Sequence, residues 1–453
     1  MRFERVIALA CLLLIGISSH QASCQDTSEW IRLVEEFEQD GAEELPARVR
    51  LEIASRRFER IDGGSGSVEL VGVTHIGDAR YYEALASALS GFDIVLYESV
   101  APDGARGVGG DADEDRVAGT RMAMRFVGRV MEWHRMQVGT LPADLPALVE
   151  ASSELDSRFP GWLREAIVDG WGESLQMTVI KPVPGERGEA SPQDEEPRVE
   201  WRLTSLGSDR VTGGEGHAAD IPLDSVDLDV PRPSRGGMQA EIASALGLDF
   251  QLHALDYDRP GWVLADMTDS ELRSGADELG VDTAPLLEGL SGGGLTARMG
   301  RMLLMLIRLA DFISGNQVRD IVKVVLVESL ANPAALDMAG AGMAGMDGLM
   351  ELILHERNIV ALECLDETLA RSPGTSIALF YGAAHMPGLA EGLVERGWKA
   401  VDRPSWLPAI EVDLIASQVD PETMAMVRAR FNGSMGIVPR PDRERTDDGD
   451  ESP

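Results

Sequence analysis

The sequence predicts an α/β protein with a central, mainly parallel sheet and flanking helices, interrupted by a small α+β block. Three observations carry that expectation. The stretch "VELVGVTHIGDARYYEALASALSGFDIVLYE" (68–98) reads as strand, helix, strand, the spacing of a βαβ unit. A second apolar run, "TSIALFYGAAH" (375–385), ends like the first in Gly-x-x-His. Between them, residues 112–233 change texture to helices followed by alternating strands around a polar loop. The bulk numbers agree: 453 residues with 44% hydrophobic and 26% charged content are enough for two or three cores. A formal net charge of −35 argues against a nucleic-acid partner, because phosphate binding needs clustered Lys and Arg. It reads first as a solvated acidic surface.

Taken in order, "MRFER" followed by "VIALACLLLIGIS" has the n-region and apolar h-region of an export signal, assigned to residues 1–24. The h-region is too short for a membrane span. Cys24 after Ala22 and Ser23 has the small-residue context of a lipoprotein signal, although Gln21 stands where Leu is preferred. The expected location is therefore the periplasm or cell envelope, with membrane contact only through a lipid on Cys24. Cys11 leaves with the signal, so Cys364 alone remains in the folded body; no disulfide or Cys-based zinc site is available. Cys364 is expected to be a small buried residue.

Residues 27–60 read as one or two helices, "EWIRLVEEFEQ" and "LPARVRLEIASRRFER". The βαβ unit follows and closes the first part of the body, 25–111, in the Gly- and Asp-rich linker "APDGARGVGGDADEDR" (101–116). The block 112–233 opens with a long helix and then holds two β segments flanking "PVPGERGEASPQDEEP". The second part of the body, 234–437, returns to α/β texture: "MQAEIASALGLDFQLHALDY" as helix then strand, and "GWVLADMTDSELRS" as strand then helix. The Met-rich runs at 295–314 and 330–358 read as helical or flexible, their methionines as core packing. The tail 438–453 is polar and acidic, with the composition of disorder.

In an open parallel sheet, ligands bind beyond the carboxyl ends of the strands. His75 and Glu98 follow the two strands of the βαβ unit, and His385 follows "SIALFYG". If the three strands are parallel neighbours, two imidazoles and a carboxylate converge on one sheet edge, with Gly72 and Gly382 letting the chain turn sharply there. Such a set can hold a divalent metal through His75, Glu98 and His385. It can equally work without metal, one histidine acting as general base on a water that Glu98 orients. "HERN" adds Arg357 at a helix start, where it can bind a substrate carboxylate or stabilise an oxyanion.

The pairing of "VGVTHIGDARYY…DIVLYE" with "RNIVALECL" and "YGAAHMPGL" resembles the TraB/GumN/TIKI family over roughly residues 50–110 and 234–410. By that resemblance His75, Glu98, Arg357 and His385 stand at the family's functional positions. The TIKI branch implies a protease using manganese or cobalt; the related erythromycin-esterase and haem-binding ChaN-like proteins imply that the scaffold hosts other functions. The inserted block is similar to the C-terminal domain of the type II secretion major pseudopilin, through "DGWG", "SLGSDR" and "GGEGHAADI". Gly170 and Arg210 depart from that pattern, and the apolar N-terminal helix of a pseudopilin is missing, which argues against fibre assembly. The resemblance implies a calcium site through Asp209, Asp220 and the Leu206 carbonyl; a plain glycine-rich turn is the alternative. His217 reads as an exposed loop residue.

These readings converge on an exported, metal-dependent hydrolase acting on peptide or protein substrates. The competing expectations are an envelope protein that binds haem, metal or a partner without turnover, and a module that acts through the pseudopilin-like insert.

Overall fold

The structure, a computed structural model, describes residues 29–40, 43–110, 112–180, 200–230, 237–280, 317–332, 351–401 and 403–434, with residues 304, 305, 307, 308 and 311 between them. The expected signal segment with Cys24, the loop 182–197, most of the two Met-rich runs and the acidic tail lie outside the described residues.

The first elements correct the sequence reading. The stretch expected to be helical is two strands, β1 (Ile31–Asp40) and β2 (Glu43–Arg60), paired antiparallel. The period is two. Val49, Leu51 and Ile53 are buried while Arg48, Arg50 and Glu52 alternate with them on the other face. Those charges satisfy one another: Arg32 bonds Glu52 at 2.8 Å and Arg50 bonds Glu36 at 2.6 Å. Abundant Glu and Arg suit a helix by propensity, but three buried β-branched or Leu side chains at alternate positions decide for a strand.

Next come β3 (Ser67–Val73), β4 (Ile76–Gly77), α1 (Ala79–Leu89) and β5 (Ile94–Tyr97), the expected βαβ unit. The block that interrupts the body contains α2 (Asp113–Val138), α3 (Leu145–Ala151), α4 (Phe159–Ala166) and the antiparallel sheet β6 (Gln176–Ile180), β7 (Glu200–Ser205) and β8 (Ile221–Asp224). It has its own apolar core of Met124, Phe126, Val130, Trp162, Leu163, Trp201 and Leu203, among others. The stretch before it is not a free linker: Ala101 and Ala105 belong to that core, and a Cβ on Gly104 would meet the Met122 backbone at 2.4 Å.

The body resumes with α5 (Gly237–Leu246), β9 (Asp249–Phe250), α6 (Gln251–Ala254), β10 (Trp262–Leu264) and α7 (Asp269–Glu278). The strand expected over "DFQLHALDY" shrinks to two residues before a helical turn begins at Gln251. Thr268 and Glu271 form a reciprocal capping box that starts α7. Then follow α8 (Gln317–Leu330), a π-helical turn at Glu351–Glu356, α9 (Arg357–Arg371), β11 (Ser376–Gly382), α10 (Met386–Glu395), β12 (Trp398–Ala400), β13 (Ser405–Asp413) and α11 (Pro421–Ser434). Cys364, expected to be buried, is half-buried on α9 and accepts an N–H from Arg106 at 3.4 Å. Among the described residues no helix is long and apolar enough to cross a membrane.

The central sheet runs β1-β2-β3-β11-β5-β10, with β12 and β13 also pairing β2. Its core, β3-β11-β5-β10, is parallel; the pairings of β2 are antiparallel. Side chains of β11 alternate between two apolar cores: Ala378 and Phe380 face α1, α5 and α8, while Ile377, Leu379 and Tyr381 face α9 and α10. Burial on both faces explains why "SIALFYG" is a continuous apolar run.

Candidate functional site

Strand order builds the site. β11 lies between β3 and β5, parallel to both, with Gly382 opposite Val73 and Phe380 opposite Tyr97. The three strands therefore end close together, and His75, Glu98 and His385 all leave that edge. This is the convergence expected from the sequence. Arg357 arrives from the other direction, as the first residue of α9.

Glu98 is at the centre. Its Oε1 accepts from Arg357 Nη2 at 2.6 Å and lies 3.5 Å from His385 Nε2; its Oε2 accepts the Gly382 N–H at 2.6 Å. Burial by itself would raise the Glu98 pKa. Arg357, then His385 and His75, overcome it and hold the carboxyl well below the usual carboxylate range. Glu98 is thus an ionised acceptor.

Each histidine is oriented by a side-chain amide. His75 Nδ1 is 2.7 Å from Gln251 Oε1, and His385 Nδ1 is 2.7 Å from Asn358 Oδ1. The amide orientations follow from their other partners: Gln251 Nε2 donates to the Tyr257 hydroxyl at 2.9 Å, and Asn358 Nδ2 donates to the His385 carbonyl at 3.3 Å. An amide oxygen only accepts, so each Nδ1 carries a proton; His385 Nε2 faces the Glu98 carboxylate at 3.5 Å and His75 Nε2 lies beside Gly382. His385 is buried at 3% exposure, whereas His75 is exposed, so solvent and substrate reach the site from the His75 side.

The glycines act through space, not through a turn. Neither Gly72 nor Gly382 has positive φ. A Cβ on Gly382 would sit 3.1 Å from Glu98 Oε2, 3.7 Å from His385 Cδ2 and 4.0 Å from His75 Nε2, so the missing side chain is the floor of the site. A Cβ on Gly72 would meet the Ala54 carbonyl oxygen at 2.9 Å, and glycine there lets β2 approach β3.

Arg357 is more committed than its expected substrate-binding role implied. Nε bonds Asp266 Oδ1 at 2.9 Å, and Nη2 bonds Asp266 Oδ2 and Glu98 Oε1, both at 2.6 Å. Burial opposes its charge, but Asp266 and Glu98 raise its pKa further still. Its first task is to keep Glu98 ionised. Asp266, fully buried, and Gln251 were missed by sequence reasoning, while Asn358 was noted beside Arg357 at the helix start without a role. Asp266 lies two residues past β10, on the same edge as Glu98, and that position after a strand was the available signal. Nothing local marks Gln251.

Two imidazoles and an ionised carboxylate are groups of the type Mn²⁺ or Co²⁺ accepts, and each ring is held through Nδ1 by a neighbouring oxygen, as metal-bound histidines are. In type the residues fit such an ion. As they stand, no group of three or more His, Cys, Asp or Glu among the described residues is arranged to hold one, Glu98 being turned onto Arg357.

In the inserted block, Asp209 is exposed and its Oδ1 accepts the Val211 N–H at 3.0 Å, while Asp220 Oδ1 is buried without a hydrogen-bond partner. Leu206 is half-buried, three residues before Asp209. His217, expected to be exposed, is half-buried, 3.4 Å from Glu114.

The chain matches no protein-family model, no curated protein and no solved structure.

Proposed function

We propose that the protein is an exported hydrolase of the peptidase type, with His75, Glu98 and His385 as its working groups, in keeping with its resemblance to the TraB/GumN/TIKI family. The observation that carries the reading is the pair of imidazoles, each held through Nδ1 by an amide, at one edge with an ionised Glu98. His75, open to solvent, takes the proton from an attacking water. Glu98 stabilises the positive charge that His385 or His75 acquires. Arg357 keeps Glu98 ionised, and the absent side chain of Gly382 leaves room for the scissile group. Were a divalent cation bound, Mn²⁺ or Co²⁺ by the resemblance, His75, Glu98 and His385 would hold it, His75 then serving as ligand in place of base, and the ion would supply Lewis acidity.

The test is cleavage of a peptide library by purified protein with and without Mn²⁺ or Co²⁺, beside His75→Ala and His385→Ala. Cleavage lost in both variants supports the reading. Equal, negligible cleavage by wild type and His75→Ala would argue against an enzyme and return the competing one, a binding protein without turnover.

A second site is favoured by one observation: the buried, unpartnered Asp220 Oδ1 beside the Leu206–Asp209 loop suits a Ca²⁺ ion, which takes carboxylate and carbonyl oxygens together. Calcium titration by calorimetry on wild type and Asp220→Ala tests it, with heat from the wild type alone as the expected result.

A further inference from the structure

We propose that helix α4 of the inserted block is a positioning element of the site, holding Glu98 through the residues on either side of it. Trp162 Nε1–H donates to the Tyr97 hydroxyl at 2.8 Å, both side chains being buried. Arg158, immediately before α4, donates from Nη1 to Ser99 Oγ at 2.7 Å. Tyr97 and Ser99 are the chain neighbours of Glu98, so the insert holds the side chains on both sides of the carboxylate. The grip is itself rigid: the Arg158 guanidinium stacks 4.9 Å over the Trp162 ring, and Asp156 accepts from its Nε at 2.8 Å and its Nη2 at 2.6 Å.

A second route reaches the exposed histidine. The Tyr97 ring packs 5.1 Å from Tyr257, whose hydroxyl accepts from Gln251, the residue that orients His75. Ser157 Oγ donates to the carbonyl of Leu252, next to Gln251, at 3.1 Å. The same six-residue span, 157–162, therefore touches the supports of both Glu98 and His75. A module merely tolerated in a surface loop would meet its host through linkers; this one meets it at the side chains that aim the site. Misplacing a working group by about 1 Å can cost roughly a hundredfold in rate, so the contact has functional weight.

The inference rests on His75, Glu98 and His385 being the working site, and its test does not require turnover. Full-length protein labelled with ¹⁵N-histidine is compared by NMR at one pH as wild type, Trp162→Phe, Ser99→Ala and Arg202→Gln. Trp162→Phe keeps the ring and loses the N–H; Ser99→Ala removes the acceptor for Arg158; Arg202→Gln changes an insert residue whose recorded bonds are to Asp224, within the insert. The expected result is displaced His75 or His385 ring signals in the first two variants and wild-type signals in the third. Ring signals unchanged in both Trp162→Phe and Ser99→Ala, or moved equally by Arg202→Gln, would overturn the proposal and leave α4 as packing alone. If peptide cleavage is measurable, Trp162→Phe lowers kcat about tenfold with KM held. If the wild type cleaves nothing, the hydrolase reading fails while the ring spectra still decide this one.

Discussion

Replacing Arg357 by methionine tests the electrostatics of the site most directly. The guanidinium makes three bonds, two to Asp266 and one to Glu98, with side-chain exposures of 10% for Arg357, 0% for Asp266 and 9% for Glu98. Removing it leaves two carboxylates buried without their cation. Breaking one partner from a buried pair costs about 3–5 kcal/mol, on the order of 10 °C in Tm for a domain of this size. The pH dependence distinguishes this loss from a simple cavity. In the wild type the Glu98 pKa is depressed, so its contribution is complete above the unfolded carboxylate value and is lost as pH falls through the folded one. In Arg357→Met burial is unopposed by Arg357 and the folded pKa rises; the penalty is then full at pH 8 and relieved by protonation as pH falls towards 5. Scanning calorimetry of both proteins at pH 8 and pH 5 measures the difference. A deficit below about 1 kcal/mol at pH 8, or one equal at the two pH values, would refute the reasoning.

Gly382→Ala puts a methyl 3.1 Å from Glu98 Oε2; peptide cleavage should fall at least about tenfold while Tm stays within a few degrees, measured by initial rates and calorimetry. Gly72→Ala should do the reverse, because its Cβ would strike the Ala54 carbonyl and Ile53: a loss of about 1–3 kcal/mol in urea unfolding. Asn358→Leu removes the acceptor for His385 Nδ1; ¹⁵N NMR should then show the His385 Nδ1 signal displaced from its wild-type position, with His75 unaffected.

What the sequence made legible was the parallel core and the three groups at its edge, because strands buried on both faces write themselves as apolar runs and their ends are visible as Gly-x-x-His or as Glu98. The hairpin of β1 and β2 was hidden: its outward face is a ladder of Arg and Glu that locally favours a helix, and the period of two shows only through Val49, Leu51 and Ile53. Gln251 and the role of Asn358, itself noted beside Arg357, were illegible for a different reason. They matter through one hydrogen bond each to a residue brought near by the fold, and no spacing records that. Asp266 is intermediate, lying just past a strand end yet needing Arg357 to give it meaning. The glycines were found for the wrong reason: space beside a neighbour leaves the same trace in sequence as freedom in φ.

The placement of β11 has a temporal consequence. β3 and β5 are successive strands of the central sheet yet never pair; β3 has β2 and β5 has β10 on its far side, and their facing edges are joined only by the strand at 376–382. A nascent polypeptide leaving the ribosome thus carries His75 and Glu98 on strands whose facing edges stay unpaired until residues 376–382 have emerged, and the site is closed by the last strand of its parallel core to be made.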